Sequence, residues 1–124
     1  MIEITPTNST HPQQAEHEAR KAQANRDELV MRITRGIRTD GRAKPLKGLG
    51  LHRESAPTEC VHGISHLAFC VIAQGSKEVF IGDDRYQYDP MHYLLVTAEL
   101  PVVSQIIEAS REQPFLSLCV RLDP

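Results

Sequence analysis

The chain offers nucleic acid no basic face. Of its 124 residues, 14 are Lys or Arg and 16 are Asp or Glu, for a formal charge of -2. A protein that grips phosphates needs a basic patch or stripe, so sequence-specific DNA binding is not expected of this chain. Long hydrophobic runs are also missing. The longest, "LAFCVIA", falls far short of the roughly 20 apolar residues that span a bilayer. The opening "MIEITPTNSTHPQQ" has no basic segment followed by an apolar one, so it is not a signal peptide. With no membrane partner implied, a cytoplasmic protein is expected. Cysteine is sparse: Cys60, Cys70 and Cys119 show no CxxC spacing, and an odd number cannot all pair within the chain. They read as buried free thiols in a reducing compartment. Phosphate-cradling GxGxxG and GKS loops are absent, and "GLG" at Gly48–Gly50 lacks a strand before it and a helix after it.

What is there divides by period. Residues 1–14 are polar, broken by Pro6 and Pro12, and are expected to be disordered. Residues 1–24 as a whole form a polar, flexible segment in this reading, ahead of one folded domain at residues 25–124. The stretch "QAEHEARKAQANRDELVMRITRGI" is rich in Ala, Glu, Arg and Lys and free of Gly and Pro until Gly36. It reads as a helix, with Leu29, Ile33 and Ile37 four residues apart on one face. Gly36, Asp40 and Gly41 mark its exit, and "RAKPLKG" reads as a basic loop.

From Leu49 onward the period is two. Strands are expected at "LGLHRES", "LAFCVIAQG", "HYLLVTA", "VVSQIIEA" and "FLSLCVRL". A hairpin is expected in "KEVFIGDDRYQY", turning at Gly82-Asp83-Asp84. In the last strand Leu116, Leu118, Val120 and Leu122 point one way, and Ser117, Cys119 and Arg121 the other. Six or seven short strands with turns at this spacing make a mainly β sandwich or barrel with an amino-terminal helix.

The stretch "VHGISH" carries His62 and His66 four residues apart. On a helix that spacing brings two rings to one ion, but Gly63 and the strand-like run that follows argue against a helix. On a strand rising about 3.3 Å per residue, their Cα atoms lie roughly 13 Å apart. Zinc wants imidazole nitrogens at about 2.0 Å, so no metal site is expected. The residues between them, Gly-Ile-Ser, supply no general base, so HExxH chemistry is excluded. Ser65 lacks the strand–Ser–helix elbow of a hydrolase nucleophile, and Cys70 lies too far along its strand from His66 to be activated by it. Asp83 and Asp84 serve a turn, not paired-acid catalysis. No enzyme, cofactor or metal is expected.

The landmarks "LHRESAPT", "CVIAQGSKEVFIGDDRYQYDP", "HYLLVTAELPVVSQIIEAS" and "LSLCVRLDP", taken together across residues 49–124, resemble the amino-terminal regulatory domain of AraC-type transcription regulators. A weaker match runs through "ELVMRITRGIRTDG". The resemblance implies a cupin-like β-barrel or double-stranded sandwich that senses an effector, dimerises, or does both. It also implies a carboxy-terminal helix-turn-helix domain, absent from this chain, that binds DNA and recruits RNA polymerase. After "YDP" the family pattern places Gly where this chain has Met91, which predicts a different turn there. The metal-binding cupin pattern of two His one residue apart with a nearby Glu is missing.

On this reading a small-molecule effector would sit among Phe69, Val71, Val79, Ile81, Tyr86, Tyr88 and Leu95, with His66 or His92 as polar contacts. The Leu29–Ile33–Ile37 stripe either covers its own barrel or crosses to a partner, and a homodimer is expected. The alternative is a small cupin-like metalloenzyme, an isomerase or dioxygenase.

Overall fold

Proline at the first turn of a helix loses no hydrogen bond, because the first N–H groups have no intrahelical acceptor. Pro12 takes that position in the computed structural model, which describes residues 2–6 and 12–122, and side chains from residue 15 to 122. The helix α1 runs Pro12–Gly36, with Arg35 in its last turn, where the helix dipole favours a cation. Its amino-terminal half is solvated and carries the exposed pair Arg20–Glu16; Arg32–Glu28 follows further on. Such pairs stabilise by only about 0.3–0.5 kcal/mol each. The carboxy-terminal half is held by packing instead.

Ten strands are formed by the described residues: β1 (Ile2–Pro6), β2 (Gly41–Leu46), β3 (Leu49–Glu54), β4 (Val61–Ile64), β5 (Ala68–Gln74), β6 (Ser76–Ile81), β7 (Asp84–Tyr88), β8 (His92–Val96), β9 (Pro101–Glu108) and β10 (Phe115–Arg121). They build two sheets, one ordered β1-β8-β5-β10-β3-β2 and the other β4-β9-β6-β7. Every pairing is antiparallel. The chain is mainly β with one amino-terminal helix, as the period-two half of the sequence predicts.

Two segments differ from expectation. Ile2–Pro6, expected to be disordered, pairs residue by residue with β8. The backbone of β8 needs a partner on that side, a demand that polar composition does not display. The basic stretch at residues 42–48, expected as a loop, is largely the edge strand β2 and its turn into β3. Pro45 falls where the β2–β3 register shifts between Ala43 and Leu46, the irregular edge position that tolerates a missing N–H.

The hairpin β6–β7 closes through Gly82 and Asp83, with Gly82 at φ 58°. Glycine at the first central position is what a type II′ turn requires, and that turn suits the strand twist. Gly75, at φ 86°, carries the chain from the first sheet to the second. A side chain there would meet the Glu108 carbonyl at 2.4 Å and the Phe115 Cα at 3.1 Å, so only glycine fits. At Asp89-Pro90-Met91-His92, the His92 N–H donates to the Asp89 carbonyl at 3.0 Å and the Met91 N–H to Asp89 Oδ1 at 2.8 Å. No residue other than glycine has positive φ among those described, so Met91 sits in a turn of type I character, which needs no glycine.

The core has two parts. Between the sheets lie Ala68, Cys70, Ile72, Leu94, Val96 and Phe115 of the first sheet against Val79, Tyr88 and Ile106 of the second. On the outer face of the first sheet, Ile33 and Ile37 of α1 pack with Leu51, Ala73 and Leu116, flanked by Leu29 and Val30. Ile33 is 2% exposed and Phe115 fully buried. Burying each such side chain contributes about 1.5–3 kcal/mol. The Leu29–Ile33–Ile37 stripe, suggested as a dimer contact, is therefore largely spent within its own chain.

Candidate functional site

Alternation along each strand decides what faces the space between the sheets. From the first sheet it sends in Ala68 and Cys70 of β5, Leu94 and Val96 of β8, and Cys119 of β10; from the second come Lys77 and Val79 of β6, Tyr88 of β7, and Val102 and Ser104 of β9. These groups leave a cavity of about 250 Å³, with Arg42, Ile64, Ser65, His66 and Arg121 completing its wall. Next to it a second hollow of about 210 Å³ shares Arg42, Lys77 and Ser104 and adds His52, Glu54, Thr58, Val61 and Ile106.

The polar groups of the cavity are the unusual part. Three of its lining residues, Arg42, Lys77 and Arg121, are cationic and none is a carboxylate. The Lys77 side chain has no hydrogen bond or ion pair among the described residues, and neither has Arg42. Burial pushes the Lys77 ammonium below the usual lysine range; the Cys119 and Cys70 sulfurs pull it up and Arg42 pushes it further down. Tyr88 is 3% exposed, its hydroxyl likewise makes no hydrogen bond among the described residues, and burial raises its pKa.

The same cationic field reaches the adjoining hollow. The His52 ring nitrogen Nε2 lies 2.9 Å from Glu54 Oε2 and its ring meets Phe115 edge-on at 5.6 Å. Burial lowers the His52 pKa, the hydrogen bond to Glu54 opposes this, and Arg42 and Lys77 add to the lowering. Glu54, the carboxylate of this hollow, is thus already engaged by a neighbour on its own strand.

Cys70 and Cys119 share the cavity wall as register partners of β5 and β10. All three thiols are free, with Cys70 buried, Cys119 partly buried and Cys60 exposed. The expectation of buried thiols thus fails for Cys60, which lies outside the strands on the way to β4. Its Sγ lies 3.7 Å from Gln105 Oε1.

Of the nine residues expected around an effector, the cavity brings together His66, Val79 and Tyr88. Phe69, Val71 and Leu95 alternate to the other face of the first sheet. Phe69 packs against Tyr93 in a tilted arrangement with ring centroids 5.1 Å apart, Leu95 is the register partner of Phe69, and Val71 lies beside Leu29 of α1. Tyr86 and Ile81 belong to the β6–β7 hairpin beyond the cavity wall, with Ile81 packed against the inner core. His92 faces α1, its Nδ1 3.1 Å from Asp89 Oδ1. Sequence reasoning passed over Lys77 and Arg42. The available signal was parity, because Lys77 shares a strand face with Val79 and a cation on an inward face is costly without a purpose.

His62 is exposed on the edge strand β4 and His66 stands at the cavity mouth. No group of three or more His, Cys, Asp or Glu able to hold a metal occurs among the described residues. No helix among them is long and apolar enough to cross a membrane. A larger hollow of about 470 Å³ lies between α1 and the loops at Gly75, Pro90 and Gln113, but Arg26, Asp27, Asp89 and Glu108 there mix both charge signs and favour no ligand.

No curated protein and no solved structure matches the chain. The sequence model of the AraC-type transcriptional regulator N-terminus, however, matches residues 45–124, a span that holds β3 to β10 and the cavity walls except Arg42. By that match the chain belongs to the family of AraC-type transcriptional regulator N-terminal domains.

Proposed function

We propose that the chain is the sensing module of a transcription regulator. A small-molecule effector enters the cavity between the sheets, and promoter DNA is bound by a helix-turn-helix domain elsewhere in the regulator. The observation that carries this reading is the cavity of about 250 Å³ whose Lys77 and Tyr88 polar ends have no hydrogen-bond partner among the described residues. A region needed only for packing would be filled or self-satisfied; a ligand supplies the missing acceptors. The formal charge of -2 supports placing DNA contact outside this chain. In this reading the chain binds its effector and catalyses nothing. The homodimer expected from the sequence stays part of the proposal, through a surface other than the Ile33–Ile37 stripe. Sedimentation equilibrium tests it, and a single 13.9 kDa species at every concentration rejects it.

The sensing reading is tested by thermal-shift measurements on the chain with a panel of small organic metabolites. Compounds that raise the melting temperature should lose that effect in Ser104→Phe, which fills the cavity from β9, while circular dichroism confirms an unchanged fold. Compounds that stabilise both proteins equally, or a panel with no stabilising member, overturn it.

A further inference from the structure

A protein keeps an unpaired ammonium among apolar groups at a cost, because the charge loses hydration and gains no counter-ion. Lys77, half-buried, lines the cavity with no carboxylate partner among the described residues. Along β6 it shares the inward face with Val79, opposite Tyr88 of β7 and Ile106 of β9. Arg42, which lines the same space, adds repulsion instead of relief. The nearest carboxylate that the two hollows provide, Glu54, is engaged with His52 at 2.9 Å. The other acidic residue of β6, Glu78, alternates away from the cavity and pairs with Arg85. The cavity wall therefore gathers cations with no carboxylate among the described residues that line it.

The remaining wall sorts by chemistry. Leu94, Val96 and Val102 offer hydrocarbon, while Tyr88 and Ser104 add hydroxyl donors. We propose that the ligand of this cavity is a small organic carboxylate, its charged end held between Lys77 and Arg42 and its hydrocarbon portion against Leu94, Val96 and Val102. The inference rests on the sensing reading above and specifies its ligand class. A bare inorganic anion would satisfy the cations and leave the apolar wall empty. A neutral compound would fill the wall and leave the ammonium unpaired. The volume of about 250 Å³ suits a metabolite-sized acid.

The test is isothermal titration of the chain, in chloride-poor buffer, with hexanoate, hexanamide and inorganic phosphate. Hexanoate should bind at least about 10-fold more tightly than either of the others. Lys77→Met keeps the length and volume of the side chain and removes the charge; it should abolish the preference for hexanoate over hexanamide, and Lys77→Arg should restore part of it. In the absence of ligand, Lys77→Met should also melt higher than the parent chain, because it removes an uncompensated charge. Equal binding of hexanoate and hexanamide, or a preference that survives Lys77→Met, overturns the carboxylate assignment and leaves the sensing reading standing. Phosphate binding as tight as hexanoate rejects the role of the hydrocarbon wall. A Lys77→Met chain that melts lower means that Lys77 serves the fold, and overturns the inference. If none of the three probes binds while compounds from the panel above still fill the cavity, the carboxylate class fails by itself.

Discussion

Cys70 on β5 and Cys119 on β10 stand directly opposite each other in the antiparallel ladder. The Cys70 S–H holds the Cys119 pKa below the ordinary thiol range against the opposing effect of burial, with Lys77 and Arg42 helping. The Cys119 thiol, with burial, drives the Cys70 pKa far up. The pair thus gives up its first proton easily and its second with difficulty. Directly opposed residues of an antiparallel pair have Cα atoms about 4.5–5.5 Å apart, within the roughly 4.4–6.8 Å that a disulfide spans. Diamide, which takes up the two thiol hydrogens, should therefore join Cys70 to Cys119 within one chain. Peptide mapping after alkylation should find Cys60 alone modified; a Cys60-linked dimer with Cys70 and Cys119 both alkylated would contradict the register.

Removing the helix anchor should be felt in stability. Ile33→Ala deletes a side chain that is 2% exposed between Leu51, Ala73 and Leu116, a change that costs about 2–5 kcal/mol. Urea titration should show the midpoint falling with an unchanged slope. Ile33→Asp should cost more, since it also buries a carboxylate. If either variant kept the parent's stability and instead lost a dimer, the stripe would belong to a partner.

Glycine positions allow a paired comparison. Gly75→Ala puts a methyl 2.4 Å from the Glu108 carbonyl at a φ of 86°, and both backbone segments it meets are strand ends. Gly82→Ala meets nothing within 4 Å and carries only the backbone cost of about 1–2 kcal/mol. Gly75→Ala should lower the melting temperature well beyond Gly82→Ala, and equal losses would reject the close approach.

The acid side of the stability profile should report His52. Its folded pKa lies below the unfolded value of 6.5, so the unfolded chain binds more protons in that window. Stability should then be full above 6.5 and fall as the pH drops towards the folded pKa, with a slope of at most about 1.4 kcal/mol per pH unit. His52→Gln keeps a donor for Glu54 and should flatten the curve below pH 6.5. An unchanged curve would assign the acid loss to other groups.

How much of this was legible beforehand differs by feature. The alternation in "LAFCVIAQG" and "FLSLCVRL" identified β5 and β10, because strands covered on both faces leave a nearly continuous apolar record. Leu116 and Leu118 do face α1 while Cys119 faces inward. The edge strands β1 and β2 left no such record, since pairing by backbone asks little of side chains. The cavity was harder. Hydrophobicity points to Phe69, Val71 and Leu95, yet strand parity sends them outward, and the inward positions are partly taken by small or polar residues such as Ala68, Ser104 and Lys77. Which of two apolar faces encloses a hollow depends on the opposing sheet, and no local pattern records that.

One dividing wall separates the cavity from the helix, and it is a single strand thick. On β10, Leu118 packs towards α1 while the next residue, Cys119, lines the cavity; Phe115 and Leu116 split in the same way. Close-packed side chains compress very little, so a wall of this kind is not displaced on one side alone. A shift of β10 would therefore be felt on both of its faces at once, at the cavity lining and at the seat of Ile33 and Ile37.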